Sequence, residues 1–153
     1  MKIRKANKDD YLLLRNMAKS CKPLDVHTPY TYWMICNFFH DGCFIAEEDG
    51  IAAGSIMTIK GDDYVFIWQI GVISEFRGKG LSQQLYKSVL EYARECRLKK
   101  IILSIAPDND SSNFAFKKFC EKNELNLVQS GICNIEIPDE QFFEKENLYE
   151  IIL

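Results

Sequence analysis

Histidine is scarce, with only His27 and His40, and the six cysteines (Cys21, Cys36, Cys43, Cys96, Cys120, Cys133) are scattered without a CxxC pair. Metal-ligand spacing is therefore missing, and no metal is expected. Small apolar side chains in a reducing compartment are the better reading of the thiols. No apolar run approaches the roughly 20 residues of a membrane span. Met1-Lys2-Ile3-Arg4 leads directly into structure rather than into a signal peptide. A basic excess is also lacking: 19 Lys and Arg stand against 22 Asp and Glu, so neither nucleic acid nor a membrane is expected as partner. GxxxxGK[ST] does not occur, which removes the P-loop, and RGKGLS lacks the third glycine of a dinucleotide fingerprint. No repeat, linker or low-complexity tract interrupts the chain. What remains is 153 residues, 47% hydrophobic, read as one domain over 1–153 in the cytoplasm.

The most informative stretch runs from Tyr64 to Arg97. Val65 to Ile73 is β-branched and aromatic, as a buried strand should be. It breaks at Ser74-Glu75-Phe76, passes through Arg77-Gly78-Lys79-Gly80, and continues with Leu81, Leu85, Val89, Ala93 and Cys96 at helical spacing. Strand, glycine loop and helix form an anion cradle, because the first N–H groups of a helix lack internal partners and carry the positive end of its dipole. Spacing alone equally allows a tight turn whose Arg77 and Lys79 are merely solvated.

Lys2 to Ala6 reads as a short edge strand, and Asn7 with Asp10 as the cap of a helix bearing Tyr11, Leu14, Met17 and Ala18. Residues 21–30 hold two prolines and read as a loop, followed by a buried helix over Thr31 to His40. Cys43 to Glu47 and Ile51 to Lys60 form a hairpin around Asp49-Gly50. Beyond the cradle, IILSIA is apolar on both faces, so it is expected to lie centrally and parallel to its predecessor. Asn109 or Asp110 caps a helix through Lys122. One or two strands fall in Leu125 to Ile137. A polar connection is expected over Pro138 to Asn147, and a terminal strand over Leu148 to Ile152. The count gives a mixed sheet with helices on both faces, an α/β sandwich.

The order strand, EFRGKGLS, long helix, KKIILSI and PDNDSSNFAFKKF resembles the acetyl-CoA-binding core of the GNAT N-acetyltransferases. That resemblance implies a mixed, mostly antiparallel central sheet, with acetyl-CoA as co-substrate. It assigns the coenzyme A diphosphate to Arg77, Gly78, Lys79, Gly80, Leu81 and Ser82, where Ser82 replaces the usual Gly or Ala. Backbone near Ile70, Gly71 and Val72 is assigned to the acetyl carbonyl, and Asn109 and Phe116 to the cofactor. Two common acid–base side chains are missing. Trp68 stands where many members have Glu, and Phe116 where many have Tyr.

LDVHTPYTYWMIC at 24–36, FIWQIGV at 66–72 and IAPDNDSSNFAF at 105–116 resemble, more specifically, the L-2,4-diaminobutyrate N-acetyltransferases of ectoine biosynthesis. Their patterns are LD-x-N-S-P-Y, F-V-W-Q-V-A-V and PDN-x-x-S, and they too carry Trp and Phe at the two departures. This implies acetylation of the γ-amine of diaminobutyrate by a homodimer, with Asp25, Tyr30 and Trp68 at the catalytic centre. Asp25, His27, Tyr30, Trp68 and Gln69 are then expected to contact the amine, and Glu144 and Glu146 to supply further acid. His27 and Thr28 replace Asn and Ser, and the C-terminal H-E-x-E-x-L-Y pattern is only partly kept in residues 143–149. On the residues alone, Asp25 reads as a loop cap as well as a ligand, Trp68 as core, and the glutamates as a solvated face. Two other readings stay open: an acetyltransferase for another diamino acid or a polyamine, and a non-catalytic acyl-CoA-binding module.

Overall fold

A computed structural model describes residues 1–153. Seven strands form one sheet in the order β1-β2-β3-β4-β5-β7-β6. β1 (Lys2–Lys5), β2 (Phe44–Glu48), β3 (Ile51–Lys60) and β4 (Tyr64–Val72) pair antiparallel in succession. β5 (Lys100–Ile105) lies parallel to β4, and β7 (Phe142–Ile152) then separates β5 from β6 (Asn126–Ile137) in antiparallel register. A parallel pair needs a crossover, and α3 (Leu81–Glu95) supplies it.

Side-chain alternation sorts the core into two layers. Ile45 and Met57 pack with Leu14, Ala18, Tyr32, Ile35 and Cys36 of α1 (Tyr11–Ser20) and α2 (Pro29–Phe38). Their strand neighbours Ala46 and Ile56 face the other way, onto Leu85, Val89 and Ala93 of α3 and Phe116 and Phe119 of α4 (Asp110–Lys122). A strand's period of two gives each face its own helices. The expected mixed, mostly antiparallel sheet with helices on both faces is what the chain forms.

Three expectations need correction. α2 starts at Pro29 rather than Thr31, because Thr28 caps it through its side chain and Pro29 occupies the first turn, where its missing N–H costs nothing. Residues 138–147 are not a connection: only Pro138–Glu140 turns, and β7 begins at Phe142. The alternation Glu144, Glu146, Leu148 reflects one face of a long hairpin strand, not solvated loop. Cys96 ends α3 exposed and Cys133 is half-buried, so four of the six thiols, Cys21, Cys36, Cys43 and Cys120, are core.

The first strand is fastened by a small ionic network. Arg4 donates to both carboxylate oxygens of Asp10 at 2.8 and 2.9 Å, and to Glu47 of β2 at 2.6 Å. Asp10 also accepts from the Asn7 N–H at 2.8 Å, completing a capping box ahead of α1. The Arg4 hydrogen bonds hold the Asp10 carboxyl below the usual aspartate range. A depressed carboxylate stabilises the fold above its ordinary range, and that contribution is lost as pH falls through the folded value. Asp10→Asn should therefore lower stability by about 1–3 kcal/mol at neutral pH and flatten the acid limb of the stability profile, as read by urea unfolding at several pH values.

Candidate active site

The site begins with a failure of pairing. Thr58 of β3 faces Ile67 and Met57 faces Gln69, so Trp68 is an extra residue, a β-bulge in β4. Pairing between β4 and β5 ends one residue earlier, at Ile67 with Leu103, while β5 continues to Ile105 against β7. From Trp68 to Val72, one edge of β4 is open. Ile73 N–H donates to Ala53 O on the β3 side at 2.9 Å, and alternation turns the N–H and C=O groups of Ile70 and Val72 into the gap. Arg77 Nε takes the Val72 carbonyl at 3.1 Å.

A cleft of about 420 Å³ runs from this edge to the glycine loop. Gly78 and Gly80 have φ of +78° and +76°, which side-chain-bearing residues rarely adopt, and a Cβ on either would enter open space rather than protein. Gly80 is the N-cap of α3 and offers no side-chain cap, so the first-turn N–H groups stay unsatisfied by the protein. The α4 end lines the same cleft through Asn109, Ser111 and Ser112, with Asn109 Oδ1 accepting from Ser112 N–H at 3.2 Å. Two helix N-termini and an exposed strand edge can bind a diphosphate at one end and an extended amide-bearing arm at the other.

A second group of side chains gathers beyond Trp68. Its ring lies 5.1 Å from His27 and 5.5 Å from Tyr32. Gln69 is consumed at both ends, donating to Asp25 O at 2.9 Å and accepting from the Tyr32 hydroxyl at 3.2 Å. It acts as a strut that ties the loop at Asp25 to β4. Glu146 accepts from Ser104 of β5 at 3.2 Å. Its pKa is raised, first by burial, then by a hydrogen bond with Glu144 and by the charges of Glu144 and Asp25. Three carboxyl groups therefore share one neighbourhood, brought together by the early start of β7.

The structure assembles most of the expected residues and separates three. Ile70, Gly71, Val72, Arg77, Gly78, Gly80, Leu81, Ser82 and Asn109 line the cleft. Lys79 does not: its ammonium pairs with Glu48 at 3.2 Å and sits over the Phe76 ring. Phe116 is fully buried between Tyr86 and Tyr149, part of the α3–α4 core rather than of the cleft. Tyr30 is 68% exposed and stacked on Trp33, whereas Tyr32 is the tyrosine that reaches Trp68 and Gln69. Cys21, Leu24, Gln83 and Tyr86 also line the cleft and went unread in the sequence. Gln83 and Tyr86 follow the glycine loop at helical spacing, a signal that was present. Cys21 and Leu24 arrive through a long-range contact, which leaves none.

An open strand edge that shares one cleft with two helix N-termini has room for an extended acyl thioester and fits an acyl-group transferase. Residues 11–121 match the acetyltransferase (GNAT) family, and the chain belongs to that family. It is 32% identical to the L-2,4-diaminobutyric acid acetyltransferase of Marinococcus halophilus, over 80% of this chain and 73% of that one. It is 28% identical to the protein of that name from Shouchella clausii, over 97% and 85% of the two chains. The structure of the Paenibacillus lautus diaminobutyrate acetyltransferase in complex with L-2,4-diaminobutyric acid and coenzyme A superposes with a TM-score of 0.83 at 22% identity, covering 99% of this chain and 93% of that one. Ard1 from Thermoplasma volcanium gives 0.81 at 18% identity, over 99% and 97%.

Gly80→Asp should raise the KM for acetyl-CoA at least tenfold, through φ strain, bulk in the cleft and like charge against a diphosphate. Steady-state kinetics at saturating amine reads this, and an unchanged KM would remove the loop from the cofactor site.

Proposed function

We propose that this chain, acting as one catalytic domain, transfers acetyl from acetyl-CoA to the γ-amine of L-2,4-diaminobutyrate. The observation that carries the reading is that Glu146, on which Glu144 and Asp25 act, is hydrogen-bonded to Ser104, the β5 residue just past the last one paired with β4. A diamino acid brings two ammonium groups to that site. The carboxylates hold the α-ammonium, and Trp68 presents a flat ring with cation–π attraction of about 0.5–2 kcal/mol. Gln69 keeps Asp25 in place, and His27 packs beside Trp68 as the rim of the same pocket.

Acetyl-CoA, when bound, supplies the thioester carbon that the neutral amine attacks. The first-turn N–H groups of α3 and the Arg77 side chain hold the diphosphate. N–H groups of Ile70 and Val72 orient the thioester carbonyl and stabilise the charge that develops on its oxygen. Because Trp68 and Phe116 occupy the positions of the usual base and acid respectively, the γ-ammonium loses its proton to water. The thiolate that leaves as the C–S bond breaks is protonated through the open cleft.

We also infer a cytoplasmic homodimer serving ectoine synthesis. The dimer is supported by apolar side chains exposed on the β6–β7 hairpin, among them Ile132 and Phe143 at 55% and 67%.

The decisive assay is thiol release from acetyl-CoA against L-2,4-diaminobutyrate, ornithine, lysine, putrescine and spermidine. Selective turnover of diaminobutyrate with γ-N-acetyl product is expected. Preference for another amine would retire the substrate, and cofactor binding without turnover would favour a regulatory module. Asp25→Asn should weaken diaminobutyrate at least fivefold more than a monoamine without the α-ammonium.

pH gives an independent check. Glu146 binds an ammonium only when ionised, and its raised pKa places that ionisation above the usual glutamate range. Affinity for diaminobutyrate, measured by calorimetry without cofactor, should rise as pH rises through that interval. Glu146→Gln should abolish the rise.

A further inference from the structure

We propose that Cys21 and Leu24 form a fixed wall that restricts the acyl group to acetyl, an inference that rests on reading the cleft as the acyl-CoA site. A Cβ placed on Gly71 would lie 2.9 Å from both Cβ and Sγ of Cys21 and 3.1 Å from Leu24 Cδ1. The absent side chain is what lets the α1–α2 loop press directly onto the main chain of β4. Gly71 stands between Ile70 and Val72, whose N–H groups face the open edge. The loop thus meets the strand beside the place where a thioester carbonyl is held, and Cys21, Leu24, Ile70, Gly71 and Val72 line one end of the cleft.

The wall is stiff. Cys21 is 3% exposed and its N–H caps α1 by donating to Ala18 O at 3.2 Å. Leu24 N–H donates to Cys21 O at 2.9 Å, and the next residue's carbonyl is held by Gln69 Nε2 at 2.9 Å. The loop is anchored on both sides of Leu24, so a longer acyl chain cannot displace it without breaking these bonds. In a pocket that cannot yield, one surplus methylene reduces affinity by about tenfold or more.

The test measures Kd for coenzyme A and for its acetyl, propionyl and butyryl thioesters by calorimetry, alongside kcat/KM for each thioester. In the natural protein, propionyl-CoA should bind about tenfold more weakly than acetyl-CoA, and butyryl-CoA more weakly still. Leu24→Ala should narrow the propionyl-to-acetyl ratio to about threefold or less, taken within that variant. If Leu24→Ala does not fold, Cys21→Ala removes only the sulfur and should narrow the same ratio. Equal discrimination in natural and variant proteins overturns the wall, as does its absence in the natural protein. Failure to bind any of the four ligands overturns the cofactor reading and the wall with it.

Discussion

Everything functional here depends on the point where β4 stops pairing with β5. A β-strand in the middle of a sheet has both edges satisfied, and exposing one of them costs several unpaired amides. The bulge at Trp68 places that cost at the centre of the molecule, with β3 still holding the other edge. The N–H groups of Ile70 and Val72 and the Ile70 carbonyl are then available to a ligand that behaves as a short substitute strand, the Val72 carbonyl being held by Arg77. The same bulge re-aims Trp68 toward the α1–α2 side, where it meets His27 and Tyr32. One irregularity thereby both opens the strand edge and sets Trp68 against His27 and Tyr32.

Helix termini complete what the strand begins. α3 and α4 start at neighbouring points along the cleft, and neither start is buried by other protein. α3 keeps its first turn uncapped by any side chain, whereas Asn109 caps α4. Helix dipoles and Arg77 make one end of the cleft positive.

Much of this was legible in residue order. The Val65–Ile73 run, the glycines with positive φ and the apolar spacing of α3 are local signals, and each produced the element it should. Helices on both faces of the sheet followed from the count of elements. What could not be read was non-local. The bulge is visible only against the register of β3, and Gln69 reads as a ligand until Tyr32 and the Asp25 carbonyl are seen to occupy both ends of its amide. Glu144 and Glu146 read as solvated from their acidic surroundings, and only the pairing of β7 with β6 shows them to lie on a strand. Phe116 and Lys79 were placed by motif position, yet the first turned into the core and the second found Glu48.

The sheet order has one further consequence, in the timing of assembly. β7 is the last strand in sequence but lies between β5 and β6, pairing with β5 from Lys100 to Ile105. Cys21 through Lys118 suffice to line the cleft, whereas Glu144 and Glu146 reach their places only when β7 inserts. On a ribosome, where a chain emerges from its N-terminal end, every residue that lines the cleft is made before β7 brings Glu144 and Glu146 to their places. Those two carboxylates are thereby set only in chains whose sheet has closed.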